Sequence, residues 1–378
     1  MTSRYSDADF QLVWPRTVFK AQAAKLLNQR ARDNWNESVE LLLEHAFAGG
    51  HKGGPAAEFR NTADSDHIWG NPPSKASSLT ARQQFLRNLL SNADHLREDG
   101  PWRRPYWRER KAGQYHSIAL SETAVIREFV RLVNELDNAG YFENKFGKDC
   151  VDDPRDDEPD ALFERELGVE RVWPLNQATL VEDIDLFFDI VELLHDHASL
   201  PTTRWLHNYA GCGWHHMTFE ADPGRIVYRW RVNKILAQSA FDLRLADDGE
   251  DVGRLVSVTD DARTELMHAV ASREDGGPSD QVRHAIALFR QRGADRNQKR
   301  SAIAALALVL EERRHNVLTD ALAKSDRGAL FDIANNFHVR HQDAKQKREY
   351  DDFYLDWIFW TYLATVELTN RIVDSQSP

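Results

Sequence analysis

The sequence predicts a mainly α protein with a small β-sheet insertion in the middle of a helical N-terminal part and a C-terminal helical bundle. Three observations carry that expectation. Apolar residues recur at helical spacing over most of the chain, as in Val125, Ile126, Phe129, Leu132, Val133 and Leu136. Short apolar runs flank turn signals only between about residues 201 and 275. Everything after Asp280 has helical periodicity, including an Ala- and Leu-rich stretch at 301–311.

The elements follow in order. Residues 16–48 make two helices, stopped by Gly49-Gly50. A loop rich in Gly, Pro, Asn and Ser is expected from His51 to Ser78. Thr80 caps a helix bearing Phe85, Leu86, Leu89 and Leu90, and Ser121 opens the next, which Gly140 ends. Residues 149–166 are dominated by Asp and Glu around Pro154 and Pro159, so we expect an acidic surface loop. Phe187, Ile190, Val191 and Leu194 mark a helix ending near His195 and His197.

The pattern then changes. His215–Phe219 and Arg225–Tyr228 look like strands joined by the turn Ala221-Asp222-Pro223-Gly224, where proline presets φ and glycine accepts a positive one. Leu243–Ala246 and Val252–Val258 flank Asp248-Gly249 in the same way, with a helix near Val232–Ala240 crossing the sheet. Gly276-Gly277-Pro278 is the clearest linker. Beyond it come helices marked by Val282, Ile286 and Phe289, then 301–311, then Leu330, Ile333 and Phe337, then 351–373, the last apolar almost all round. The expected organisation is a helical region over 1–200, a small α+β region over 201–275, and a bundle over 279–378.

Composition narrows the function classes. The 378 residues carry a net charge of −12, which opposes a whole-protein basic coat for duplex DNA, so nucleic-acid contact needs a local patch. Cys150 and Cys212 are the only cysteines, far apart in sequence, and build no disulfide framework or paired-cysteine zinc ribbon. Residues 1–10 have no apolar signal core, and the most apolar stretch, Phe353–Val366, is shorter than the roughly 20 residues a membrane helix needs. A cytoplasmic protein with no membrane contact is the expectation. No P-loop, dinucleotide glycine motif or serine elbow is present, which argues against nucleotide hydrolysis and α/β-hydrolase chemistry.

Three groups of residues suit chemistry. The first is Ile333-Ala334-Asn335-Asn336-Phe337-His338-Val339-Arg340-His341, followed by Gln346, Tyr350 and Leu355-Asp356-Trp357-Ile358-Phe359. On a helix of about 3.6 residues per turn, Leu330, Ile333 and Phe337 share a face that Arg340 and His341 flank on opposite sides. His338 is then beside His341, and Asn336 is adjacent to Arg340. An imidazole of near-neutral pKa suits removal of a hydroxyl proton, and the planar guanidinium matches phosphate oxygens. The plainer alternative is that Arg340 and His341 pin the next loop, with Asp343 as partner.

With four helices around it, this run resembles the HEPN family of bacterial abortive-infection and toxin-type RNA-cleaving bundles, over about the last quarter of the chain. His341 matches the family's motif histidine, and Asn335 or Asn336 its polar position. The leading arginine of the pattern would fall at 334–336, where there is none, and Arg340 is the nearest guanidinium. The resemblance implies metal-independent endoribonuclease activity in bacterial defence or growth arrest, without a cofactor, at a site shared across a homodimer. His341 would be the base, Arg340 and Asn336 the phosphate-holding groups, and His338 and Asn335 their neighbours. The preceding residues would sense a trigger or hold the bundle inactive. The rival is a non-catalytic dimerisation module that binds RNA or a regulatory protein partner, which the missing arginine favours.

The second group is basic. Trp102–Lys111 mixes guanidinium and indole, and Arg103, Arg104, Trp107 and Arg108 suit a phosphate backbone with stacked bases. Lys299 and Arg300 suit guidance of phosphate toward His341. In both cases the plain alternative is a solvated surface, paired in the first case with the acidic 149–166 segment. The third group is His195, His197, His207, Cys212, His215 and His216, whose spacing allows zinc with four ligands or with three plus water. With no second cysteine pair and with Trp205, Tyr209 and Trp214 nearby, the expectation here is a packed aromatic corner and no metal.

Overall fold

The computed structural model describes residues 5, 7–63, 79–98, 111, 120–147, 150, 159–209, 211–249, 251–259, 261–273, 277–291, 294–336 and 350–376. The chain is mainly α with two small antiparallel ladders in its middle. It divides into two compact units, Met1–Phe241 and Asp242–Pro378. The segment 201–275, expected as one α+β region, therefore contributes a ladder to each.

The N-terminal unit opens with α1 (Arg16–Asn28), α2 (Trp35–Ala46), α3 (Gly54–Asn61) and α4 (Ala81–Ser91). Helix α3 lies where the sequence reading placed a loop. Its Pro55 occupies the first turn, where a missing N–H is harmless, and Pro55, Ala56 and Phe59 are buried. Thr80 caps α4 in a complete capping box with Gln83. Helix α5 (Glu122–Asn138) starts at Ser121, whose side chain accepts from the Ala124 N–H, and buries its whole apolar stripe. Gly140 ends it at φ +84°, and a Cβ there would lie 2.3 Å from Nδ1 of His216, so only glycine lets that ring pack so close.

After α6 (Glu143–Phe146) comes α7 (Pro159–Leu167), which makes the second half of the expected acidic loop a helix, with Leu162 and Phe163 buried. Residues 151–158 lie outside the described ones. Helices α8 (Gln177–Glu182) and α9 (Ile184–His197) follow, and α9 buries Phe187, Phe188, Ile190, Val191 and Leu194. Strands β1 (Leu200–His207) and β2 (Gly213–Glu220) pair antiparallel, with Trp205 opposite His215 and Arg204 opposite His216.

The expected strand at Arg225–Tyr228 is instead part of α10 (Ala221–Leu236). Asp222 and Pro223 sit in its first turn, where proline costs no hydrogen bond. Gly224 is needed for packing, since a Cβ there would lie 2.4 Å from the Leu200 backbone nitrogen. The true partner of β2 is β1, in which Pro201 falls at an irregular register and disguises the strand.

The C-terminal unit begins with β3 (Leu243–Leu245) and β4 (Leu255–Ser257), paired antiparallel as expected around Asp248-Gly249. Then come α11 (Asp261–Ala271), α12 (Gly277–Arg290), α13 (Arg296–Glu312), α14 (Leu318–Ala321), α15 (Lys324–Asn336) and α16 (Phe353–Gln376). Their common core includes Ile303, Leu306, Leu310, Leu355, Ile358, Phe359, Tyr362 and Leu363, all fully buried. Phe289 of α12 stacks on Phe359 of α16 with centroids 3.7 Å apart. No helix among the described residues is long and apolar enough to cross a membrane.

One histidine makes folding of the N-terminal unit pH-dependent. His45 on α2 is partly buried, and its Nδ1 is shielded from solvent with no hydrogen-bond partner among the described residues. Burial first, then the nearby His216 and Arg204, lower its pKa from 6.5 to about 3. A lowered histidine pKa means the unfolded chain binds the proton first as pH falls, so stability is present above pH 6.5 and drains toward pH 3. In urea denaturation, wild type should lose stability relative to His45→Gln by up to about 1.4 kcal/mol per pH unit below that point. Parallel pH profiles for the two proteins would refute a neutral, shielded His45.

Candidate functional site

The run Asn335–His341 starts at the C-terminal end of α15. Asn335 and Asn336 are the last residues of that helix, whereas His338, Arg340 and His341 lie outside the described residues. What is described is the frame on either side of them. The Tyr362 hydroxyl donates to the Leu330 carbonyl at 2.7 Å, which fastens α16 to α15. Arg313, the residue that caps the C-terminus of α13, donates to Thr369 and Asn370 on α16 at 2.7 and 2.6 Å, so one end of the α13–α16 seam is polar.

Lys299 and Arg300 face the start of α16. Lys299 Nζ is 2.9 Å from an Asp356 carboxylate oxygen, and Arg300 Nε donates to the Tyr350 hydroxyl at 3.1 Å. Arg296 lies over the same Tyr350 ring at 4.5 Å and pairs with Asp352 at 3.3 Å. The three cations on the first turns of α13 thus meet the chain just as it resumes after 337–349. Their described contacts are to Tyr350, Asp352 and Asp356, so they fasten the start of α16 to α13. Arg103, Arg104, Trp107 and Arg108 lie outside the described residues.

The histidine and cysteine group divides. His195 is buried against Asp196 and Arg229, each 3.2 Å away, and burial lowers its pKa. His197 pairs with Glu166 at 3.3 Å. His216 points to the helical side of the hairpin, where Glu143 accepts from its backbone N–H at 3.0 Å and meets its Nδ1 at 2.6 Å. The remaining three, His207, Cys212 and His215, come together on the other side, and Cys150 joins them. All four donor atoms lie within 4.8 Å of one another. Cys150 Sγ is 3.3 Å from His207 Nδ1, and Cys212 Sγ is 2.9 Å from His215 Nε2.

Local structure explains this convergence. The hairpin register puts Trp205, His207 and His215 on one face, because side chains alternate along each strand. Gly211 and Gly213, at φ +75° and +83°, bracket Cys212 and let the tight connection bring it back over that face. Trp205 stacks on His215 and Tyr209 on His207, but both are exposed, and Trp214 packs on Arg204 at the opposite face, so the three do not form the packed corner expected. The expectation of no metal rested on the lack of a second cysteine pair and on the nearby aromatics, and the fold brings the sulfur of Cys150 to the cluster from 57 residues upstream of His207. No spacing rule links Cys150 to the hairpin, so the sequence carried no signal for it.

A second acidic group, Glu40, Glu44 and His51, is also close enough to hold a cation. Guanidinium groups already serve it: Arg60 contacts Glu40 and Glu44 at 2.7 and 3.1 Å, and Arg204 contacts Glu44 at 2.6 Å. Burial raises the Glu44 carboxyl, but the hydrogen bonds with Arg204 and His51 outweigh it and leave the pKa lowered.

The α13 cations give a direct test. Lys299→Gln should cost less than about 1 kcal/mol of stability, because its ion pair with Asp356 is partly exposed. If Lys299 and Arg300 also attract phosphate, the double change Lys299→Gln and Arg300→Gln should weaken RNA binding several-fold and flatten its salt dependence. Unchanged RNA affinity with a lowered melting temperature would leave them only a structural role.

No family model, curated protein or solved structure matches this chain.

Proposed function

We propose that this chain is a metal-independent endoribonuclease of HEPN type, acting through its C-terminal unit in bacterial defence or growth arrest. The observation that carries the reading is the sequence run Asn335–His341, whose first two residues end α15 in a unit built of packed helices. Arg296, Lys299 and Arg300, gathered at the start of α13, add a cationic group suited to a polyanionic substrate.

The chemistry is an internal transfer. The ribose 2′-hydroxyl attacks its own 3′-phosphate, and His341 takes the hydroxyl proton. The new 2′-O–P bond forms as the P–O5′ bond breaks, and the departing 5′-oxygen takes up a proton. Arg340 holds the phosphate oxygens as their charge grows, a task its planar fork suits, and Asn336 adds an amide donor. His338 and Asn335 flank these groups in sequence. The products are a 2′,3′-cyclic phosphate and a 5′-hydroxyl. A homodimer would bring two such runs together.

The rival reading, a binding and dimerisation module, is favoured by the lack of an arginine at 334–336. RNA incubated with the chain in magnesium-free buffer separates the two. The expected result is cyclic-phosphate ends from wild type and a loss of about 10²–10⁴ in rate for His341→Ala. Equal cleavage by both proteins would remove His341 from the chemistry. Intact RNA with either protein, alongside a stable dimer in light scattering, would establish the module instead.

A further inference from the structure

We propose that Cys150, His207, Cys212 and His215 form a structural zinc site that closes the tip of the β1–β2 hairpin. The inference concerns the N-terminal unit and does not depend on the ribonuclease reading.

The donor set points to the metal. Two sulfurs and two imidazole nitrogens, with no carboxylate among them, are the ligands zinc takes in closed tetrahedral sites. Calcium and magnesium need oxygen ligands, which this group lacks. The geometry agrees. With Zn–S near 2.3 Å and Zn–N near 2.0 Å, a tetrahedron has edges of roughly 3.3–3.8 Å. Of the sulfur–nitrogen contacts, 3.3 Å lies at the short end of that range and 2.9 Å falls a few tenths of an ångström below it, so the donors need to part by only that much to centre an ion. No disulfide joins the two cysteines. Instead each sulfur faces an imidazole.

Four protein ligands leave no open position for water or substrate, so the role is structural. The fold has a use for it. A two-stranded hairpin is marginal by itself, and this one exposes Trp205, Leu206, Tyr209 and Met217. Its tip makes its turn through two glycines. A metal there ties the turn, both strands and the distant residue 150 to one point. Trp205 and Tyr209 stack on the two ligand imidazoles.

The full chain, purified without chelator, should contain one zinc per molecule by elemental analysis. Cys150→Ser and Cys212→Ser should lose it, and His197→Ala, whose imidazole pairs with Glu166, should keep it. Because the cysteine variants risk misfolding, wild type carries the deciding measurement. Protein stripped of metal and titrated with cobalt(II) should develop the visible bands of tetrahedral cobalt and a sulfur charge-transfer band, both bleached by zinc. Zinc should also protect Cys150 and Cys212 from alkylation and the 208–212 turn from proteolysis. A folded wild type that takes up no metal would overturn the proposal. So would cobalt bound without sulfur bands, or zinc retained in full by Cys150→Ser.

Discussion

The N-terminal unit turns on a buried ion pair between Glu44 of α2 and Arg204 of β1. Their atoms are 2.6 Å apart and both side chains are only 6% exposed. The Arg204 guanidinium also lies over the Trp214 ring at 4.1 Å, so the cation is held from two sides. A charge buried this deeply needs its partner, and removing one member of such a pair typically costs about 3–5 kcal/mol. The pair therefore dictates which face of the hairpin meets the helices. Because side chains alternate, fixing Arg204 and His216 inward places Trp205, His207 and His215 on the opposite face. The sulfur and imidazole cluster is a consequence of where one guanidinium is anchored.

The C-terminal unit uses a different principle. Its core is almost wholly apolar, and order comes from shape, as in the flat stack of Phe289 on Phe359. Polar contacts are kept for the edges of the α13–α16 seam. Arg313 meets Thr369 and Asn370 near one end, and Lys299 and Arg300 meet Asp356 and Tyr350 toward the other. Such contacts are weak in energy but strict in geometry. They set the register of α16 against α13.

Much of this was legible in advance where local rules act alone. Thr80 and Ser121 announced their helices because a capping oxygen satisfies donors two or three residues away. The stripe on α5 and the bundle helices followed from 3.6-residue periodicity. The failures share a cause, which is that tertiary context overrode a local signal. Ala221-Asp222-Pro223-Gly224 has turn chemistry, yet it starts a helix because Gly224 must press against the Ser199–Leu200 backbone. Pro201 masks a strand that tolerates it at an irregular pair. Three of the six residues in the histidine and cysteine group, His207, Cys212 and His215, do converge. The fourth donor, Cys150, became visible only once the chain had folded. The groups assigned to RNA chemistry at 338–341 rest on sequence alone.

One detail of the hairpin has a mechanical consequence. Strand β2 ends at Glu220 and α10 begins at Ala221, with no residue between them to act as a hinge. The junction is clamped by the contact of Gly224 on the first strand's backbone. Further along α10, Arg229 reaches His195 and Arg231 grips Glu135 on α5. The hairpin is thus a cantilever rigidly set into the helical layer. A load or a loosening at its tip cannot be absorbed locally and is conducted into the α5 and α9 framework.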